Sequence, residues 1–353
     1  MYSESDIDGA VAAGALSPDA ARAMRDHIAA TRAAPAVDEE HFRLLTGFND
    51  IFVSIAIVLL LAALLQIGTS IDAARWLGGA LVAGAAWMLA EYFTARRRMA
   101  LPSILLLLAF VAGIASAVGG ALGELLWSGP QTGINLQERQ REMSLVYSAA
   151  AVAAAAGAWL HWRRFAVPIT VAAGAVAVVG IGVGLFLAAA PDTDEAVWPL
   201  LLAAGLGVFG VAMRWDLSDR ERRTRRADVA FWLHLAAAPM IAHPIFKLLG
   251  VFDNDVTVAT ALVVIALYLF FAFVALAIDR RALLVSGLGY VLYAMIALFR
   301  TAGAVELSWA LTAFVIGSAL LTLSAFWHPM RSLVVGTLGD FGRRLPPTAA
   351  ATA

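Results

Sequence analysis

Long apolar runs recur along this chain, and short polar stretches rich in arginine separate them. Ten runs are near the roughly 20 residues that a helix needs to cross a hydrocarbon layer of about 30 Å. Because unpaired backbone groups are costly in lipid, these runs predict an all-α, polytopic transmembrane helix bundle of about ten spans. The domain plan is a cytoplasmic helical element over 1–48, a transmembrane domain over 49–328 and a cytoplasmic tail over 329–353. The predicted spans are Asp50–Gly68, Trp76–Phe93, Leu101–Gly123, Ser144–Leu160, Phe165–Ala190, Val197–Met213, Asp228–Gly250, Thr257–Ile278, Ala282–Phe299 and Leu307–Trp327.

Composition agrees with an integral membrane protein and excludes an ordinary water-soluble domain. Of the 353 residues, 61% are hydrophobic and only 14% are charged, against about 25% charged in a typical soluble domain. A disordered chain would need the opposite balance. The net charge of −1 gives no reason to expect nucleic acid as a partner. The chain has no cysteine, which excludes disulfides, thiolate metal sites and cysteine nucleophiles.

Basic residues mark one side of the predicted bundle, as they do in membrane proteins whose cytoplasmic loops are enriched in Lys and Arg. With a cytoplasmic N-terminus, twenty of the 25 basic residues fall on the cytoplasmic side, four fall outside, and Lys247 lies within a span. Together with the Ala- and Arg-rich composition, this asymmetry predicts a multi-pass protein of the bacterial inner membrane with both termini in the cytoplasm. The cytoplasmic set is Arg22, Arg25, Arg32, Arg43, Arg96, Arg97, Arg98, Arg163, Arg164, Arg214, Arg220, Arg222, Arg223, Arg225, Arg226, Arg280, Arg281, Arg331, Arg343 and Arg344.

The polar residues before the first span predict a small helical element. A short helix over Ser5–Ala13 is closed by Gly14, and Ser17 caps a second helix that continues to about Ala33. A third stretch, Asp38–Leu45, is expected to lie along the membrane surface. The element is interpreted as a solubilising cytoplasmic tail, with a partner-docking module as the alternative.

The longest cytoplasmic loop between spans, Arg214–Arg226, carries six arginines. Its charge predicts a topology signal that also contacts anionic lipid headgroups. A regulatory or protein-binding role is the alternative. The lipid bilayer is the partner that the sequence indicates, and it points to no particular protein partner.

Ionisable side chains inside spans are the best functional pointers, because each is costly in lipid unless it is paired or hydrated. The seventh predicted span concentrates them, with His234, His243 and Lys247 in a helix that also contains Pro239 and Pro244. His243 and Lys247 are four residues apart and share a helix face. A polar cavity or a proton-linked role is one interpretation of this span, and satisfied core residues are the other.

Depth in the membrane restricts which of these groups can meet. Glu91 lies near the cytoplasmic end of the second span, and His234 lies about 9 Å into the seventh span from the same side. The two residues therefore have the same depth range and are candidates for pairing. Lys247 lies toward the opposite side, where Glu124, Asp253 or Asp255 is its expected partner. The candidate intramembrane polar site is thus His234, His243, Lys247 and Glu91.

Other motifs point to packing rather than to chemistry. The run Gly205–Gly210 matches G-x-G-x-x-G, but it lies inside an apolar span, where small residues let helices approach closely. No metal-ligand spacing, phosphate loop or Ser-His-Asp order is present, so the sequence points to no cofactor. Two inverted repeats would need a broken helix at matching positions, yet the counterpart of the seventh span, Trp76–Phe93, has no proline.

The N-terminal region resembles a known group of proteins. The resemblance is carried by Ile7–Leu16 followed by Ser17-Pro18-Asp19-Ala20-Ala21, and by the run Glu40–Phe52 that leads into the first span. This pattern is similar to bacterial multi-pass membrane proteins of unknown function with a short N-terminal soluble helical pair. The resemblance implies a helical membrane fold, and it implies no activity or site residues.

Three functional hypotheses follow. The lack of catalytic motifs favours an integral inner-membrane protein with a structural or interaction role. A secondary transporter of a small solute is the alternative, and it requires a water-accessible cavity near the midplane lined by His234, His243 or Glu91. A membrane-embedded enzyme is the third hypothesis, and it requires several polar groups that converge at one depth.

Overall fold

The computed structural model describes residues 4–32, 48–128, 135–220, 222, 224–251 and 257–348, and its regular elements there are all helices. The helices divide between two compact units, one formed by Met1–His41 with Pro347–Ala353 and the other by Phe42–Pro346. The first unit contains α1 (Glu4–Ala12) and α2 (Pro18–Arg32). The second contains α3 (Phe48–Thr69), α4 (Leu77–Phe93), α5 (Ala100–Trp127), α6 (Leu136–Phe165), α7 (Ile169–Ala189), α8 (Val197–Leu217), α9 (Arg225–Leu248), α10 (Val258–Ile278), α11 (Ala282–Thr301), α12 (Ser308–Ala325), α13 (Trp327–Thr337) and α14 (Gly339–Gly342).

The prediction of an all-α helical bundle is confirmed. Each of the ten predicted spans overlaps one of the helices α3 to α12, although α6 begins eight residues before Ser144 and includes Phe165, which the sequence assigns to the next span. Among the described residues, nine of these helices are long and apolar enough to cross a membrane. The exception is α4, which has 17 residues and is therefore about 25 Å long. Apolar helices of this number and length indicate a membrane protein.

Local signals at the N-terminus act as the sequence predicts. The Ser17 hydroxyl accepts a hydrogen bond from the backbone N–H of Ala20 at 3.1 Å, which satisfies one donor in the first turn of α2. Gly14, after α1, has a φ of +70°, a conformation that glycine adopts without steric cost. The predicted surface stretch Asp38–Leu45 lies outside the described residues.

We call helices α3 to α7 the first half of the bundle and α8 to α13 the second half. Helix α9, the seventh predicted span, is the central helix of the second half. It packs against α7, α8 and α11. Of its apolar window, 56% is buried, against 39% or less in the other eight candidate spans. Four alanines of α9 are fully buried, and their small side chains let the neighbouring helices approach closely. These alanines are Ala230, Ala237, Ala238 and Ala242.

In the first half of the bundle, α4 and α5 meet through glycines. A Cβ atom added to Gly79 would lie 2.7 Å from the carbonyl oxygen of Gly113 on α5, so the two backbones are in direct contact. The glycines of the G-x-G-x-x-G run differ from one another. Gly205 lies against the backbone of Met240 on α9, whereas Gly207 and Gly210 face open space. The packing interpretation of that run therefore holds for Gly205 alone.

Part of the segment that the sequence assigns to a cytoplasmic tail is folded onto the bundle. Helix α13 packs against α10. Trp327 and Leu345 are almost completely buried, and Leu345 lies in an apolar cluster with Ala277 and Ile278 at the end of α10. Arginine and apolar side chains of this segment thus pack on the bundle. A prediction from hydropathy alone does not anticipate this packing.

Candidate functional site

Helices α8 and α10 end, and helices α9 and α11 begin, at one end of the bundle, which we call the arginine-rich end. A buried ion pair lies there. Asp216 is in the last turn of α8, and Arg280 lies between α10 and α11. The Nε and Nη2 atoms of Arg280 donate to the two carboxylate oxygens of Asp216 at 3.0 Å and 2.6 Å. The side chains are only 3% and 1% exposed. This two-point geometry fixes the relative position of the helix ends, because a planar guanidinium matches a carboxylate in one orientation.

His234, on the central helix α9, extends this pair. Its Nε2 atom is hydrogen-bonded to Oδ2 of Asp216 at 3.2 Å, and the edge of its ring packs on Phe209 of α8. Arg280 also donates to the carbonyl oxygen of Ala227 in the first turn of α9. Asp216 therefore accepts hydrogen bonds from His234 within α9 and from Arg280 between α10 and α11, so one carboxylate joins the end of α8 to both.

A second buried carboxylate, Asp279, immediately precedes Arg280 in the chain. Asp279 ends α10 in the left-handed conformation, with a φ of +60°, which Asp tolerates better than most residues. Its Oδ2 atom accepts from Arg222 at 2.8 Å, and its Oδ1 atom accepts from the indole N–H of Trp327 at 2.8 Å. The Nε atom of Arg331 lies 3.5 Å from the same Oδ1 atom. Asp279 thus connects the loop before α9 with helix α13.

Backbone carbonyls of the C-terminal segment complete the network. Arg220 donates to the carbonyl oxygen of Leu345 at 2.8 Å and also to that of Arg343. Arg331 donates to the carbonyl oxygen of Pro346 at 2.6 Å. The guanidinium of Arg220 therefore holds this segment to the loop between α8 and α9, whereas the bond from Arg331 to Pro346 lies within the segment.

Burial determines what this arrangement can do. A charge removed from water costs several kcal/mol unless it is paired and hydrogen-bonded. Both buried carboxylates face guanidinium groups and further donors, so the attraction within the network offsets that cost.

Among the described residues, no group of three His, Cys, Asp or Glu side chains is placed to hold a metal ion. We call the set Asp216, His234, Arg280, Asp279, Arg222, Trp327 and Arg331 the buried charge network.

Glu91 does not join this network. Its carboxylate accepts two hydrogen bonds from Arg164 of α6, at 2.8 Å from Nε and 2.6 Å from Nη2. The Glu91 side chain is 37% exposed and that of Arg164 is 53% exposed. The pairing of Glu91 with His234 that depth allows is not formed, because each residue has a charged partner on a helix beside it.

His243 lies apart from His234 on the same helix. Its Nδ1 atom is hydrogen-bonded to the hydroxyl of Tyr290 on α11, and the edge of its ring packs against Trp198 of α8. His243 and Lys247 are both half-buried. Two of the expected Lys247 partners, Asp253 and Asp255, lie outside the described residues. The four predicted site residues therefore occupy at least three separate places in the fold.

Several arginines of the loop Arg214–Arg226 make contacts with other parts of the protein, which the charge of the loop alone does not predict. Arg222 is almost completely buried against Asp279, and Arg225 donates to the carbonyl oxygen of Ala166. Arg220 binds the C-terminal carbonyls described above. Several of these arginines therefore stabilise protein contacts, while Arg214 and Arg226 are exposed.

The two residues at the centre of the network are not among the predicted site residues. The sequence pattern does not single out Asp216, and it marks Arg280 only as a topology signal. A usable signal was present, because a carboxylate at the end of an apolar span next to an arginine cluster is expensive to bury alone. A second missed group is His161, which is fully buried, lies 3.4 Å from the hydroxyl of Thr170, and is enclosed by the rings of Trp87, Phe110 and Phe165.

Comparisons with known proteins add no family to this picture. The chain matches no protein-family model, no curated protein and no solved structure.

Proposed function

We propose that the chain is an integral membrane protein with a structural or interaction role. The buried charge network is the observation that supports this proposal. Its ionisable groups are bonded to one another and to backbone carbonyls, and they join α8, α9, α10, α11 and α13 at one end of the bundle. Groups used in this way stabilise a fixed arrangement of helices, whereas a transport site needs polar groups that exchange partners with a solute.

The proposal includes an orientation and a location. The asymmetry of the arginines supports a bacterial inner-membrane protein with both termini and the arginine-rich end in the cytoplasm. The exposed side chains of Arg214 and Arg226 then face anionic headgroups. Reporter fusions in the segments 128–140 and 216–226 test this threading, because the proposal requires them to report opposite compartments.

A secondary transporter of a small solute is the second candidate, and His243 is the observation that favours it. His243 is half-buried on a helix with two internal prolines, Pro239 and Pro244. Its hydrogen bond to Tyr290 crosses from α9 to α11 and is formed by one titratable ring and one hydroxyl. Such a pair can change partners if α9 moves. The buried pair Asp216–Arg280 can separate only at a much larger cost in free energy, because it would leave buried charges uncompensated.

Complementation of a strain that lacks the protein distinguishes the two candidates. For a structural role, the variants Asp216→Asn and Tyr290→Phe restore the wild-type phenotype in proportion to their amount in the membrane, measured by immunoblot. For a transporter, Tyr290→Phe fails at full abundance. Tyr293→Phe is the matched control, because Tyr293 is an exposed tyrosine on the same helix. A Tyr290→Phe variant that is abundant and inactive, beside an active Tyr293→Phe, would overturn the structural proposal.

A further inference from the structure

An apolar groove of about 150 Å³ opens on the outer surface of the bundle between α10, α11, α12 and α13. Its walls include Val285 and Leu288 of α11, Leu323 of α12 and Tyr268 of α10. Val285 is 65% exposed, so the groove is open to whatever surrounds the bundle at this depth. A mostly apolar lining gives a water molecule few polar partners, so the groove favours an apolar ligand.

A cation lies at the mouth of the groove. Arg281, at the start of α11, lines it together with Trp327. The guanidinium carbon of Arg281 lies 4.6 Å from the centre of the Trp327 ring. Trp327 is itself fixed by its hydrogen bond to the buried Asp279. The charged mouth therefore has a fixed position, because it is built on the buried charge network.

The residues that line the groove extend along α11 away from Arg281. From Arg281 to Leu288 the wall formed by α11 descends about 10 Å along the helix axis. Tyr268 is ten residues before the last residue of α10, which places it about 15 Å from that helix end. A phospholipid has the same plan, with a phosphate at the headgroup level and acyl chains below it.

We propose that this groove binds one anionic phospholipid, with its phosphate at Arg281 and one acyl chain along Val285, Leu288 and Leu323. The planar fork of an arginine matches phosphate oxygens, and a basic group beside an anionic membrane surface contributes about a fivefold preference for anionic lipid. Helix α12, which forms one wall, has only 11% of its apolar window buried, so this side of the bundle faces the surrounding medium. The inference holds whether or not the structural role proposed above is correct.

Native mass spectrometry of the full-length protein tests the headgroup part. The protein is purified in detergent and incubated with equal amounts of phosphatidylglycerol and phosphatidylcholine that have identical acyl chains. We expect the wild type to retain phosphatidylglycerol about fivefold better, and Arg281→Gln to lose this preference. Arg300→Gln is the matched control, since Arg300 is an exposed arginine at the opposite end of α11. Equal preferences in the Arg281→Gln and Arg300→Gln variants would overturn the proposal.

A groove-filling variant tests the acyl-chain part. Val285→Trp introduces a large ring at the wall, and we expect it to reduce retention of both lipids severalfold. Leu269→Trp, at an exposed position of α10 that does not line the groove, should retain them like the wild type. If Val285→Trp instead changes the ratio of monomer to dimer and leaves lipid retention unchanged, the groove is an interface between copies and the lipid proposal is wrong.

Photo-crosslinking keeps the proposal testable if a variant fails to fold. A phosphatidylglycerol with a photoreactive acyl chain is added to the wild-type protein, and the labelled peptides are identified by mass spectrometry. We expect labels at residues 284–288 and 320–324, and fewer labels when unlabelled phosphatidylglycerol is in excess. Labels confined to other helices would overturn the proposal.

Discussion

Helices α4 and α5 in the first half of the bundle meet through glycines, whereas α8, α9 and α10 in the second half meet at buried charges. The first contact brings Gly79 against Gly113, and the ion pairs Glu91–Arg164 and Arg75–Asp72 of that half are partly or largely exposed. The second contact centres on Asp216 and Arg280, which are almost completely buried. Lipid gives apolar helices no hydrophobic reason to associate, so both halves rely on close packing, and the second half adds polar bonds between buried charges.

The glycine contact and the charge network differ in the sequence separation of the residues that they join. The glycine contact joins consecutive helices, Gly79 and Gly113 being 34 residues apart. The charge network joins Asp216 to Arg280, which are 64 residues apart, and it ties the C-terminal segment to the same place through the bond from Trp327 to Asp279. Disruption of the glycine contact should therefore lower the unfolding free energy by a small amount and affect mainly α4 and α5. Loss of a buried charge should destabilise the whole second half of the bundle.

The largest effect is expected from Asp216→Asn. It leaves the guanidinium of Arg280 buried without a carboxylate, which costs about 3–5 kcal/mol of unfolding free energy. The measurement is reversible unfolding of the purified protein in lipid-detergent bicelles. Asp72→Asn is the control, because the pair Arg75–Asp72 is largely exposed and should contribute almost nothing. Equal losses in the two variants would mean that the buried pair does not hold the helices together.

A double variant sharpens this prediction. Asp216→Leu combined with Arg280→Met removes both charges and keeps apolar volume, so we expect it to recover most of the stability lost by the single variant. Recovery would show that the penalty comes from the unpaired charge. A double variant no more stable than Asp216→Asn would instead indicate that the hydrogen-bond geometry itself is essential.

A smaller effect is expected from Gly79→Ala. The new methyl group would lie 2.7 Å from the backbone of α5, so α4 and α5 must move apart, at a cost of about 1–3 kcal/mol. Gly84→Ala on the same helix is the matched control, because a Cβ there meets nothing within 4 Å. That control should stabilise the helix by up to about 1 kcal/mol. Unfolding under the same conditions gives both values, and a neutral Gly79→Ala would show that the close approach is not required.

The smallest effect is expected from Glu91→Gln. Because the Glu91–Arg164 pair is partly exposed, its loss should cost no more than about 1 kcal/mol. The difference between the variant and the wild type should shrink as salt is added, since mobile ions screen exposed charges. The measurement is the unfolding free energy at low and high ionic strength. A loss as large as that of Asp216→Asn would remove the distinction between the two halves.

Much of the helical layout could be predicted from the sequence, because its signals are local. The length of an apolar run predicts a helix such as α5 or α10, and Ser17 with Pro18 predicts where α2 begins. The partners of the polar residues could not be predicted in the same way. Depth alone makes Glu91 and His234 candidates for pairing, and depth leaves open which helices are neighbours. The sequence does not predict the folded C-terminal segment for a related reason, since Trp327, Arg331 and Leu345 form no periodic apolar face.

Hydration determines which segments of this chain form long apolar helices, and hydration depends on the side chains of each segment alone. The sequence by itself therefore determined the helices, their approximate ends and the distribution of arginine among the loops. Only the tertiary structure decided that Asp216, Arg280 and His234 meet, and that a groove with Arg281 at its mouth lies between α10 and α12. A bond between helix ends depends on which helices pack side by side, and that choice is made by the summed contacts of the whole bundle.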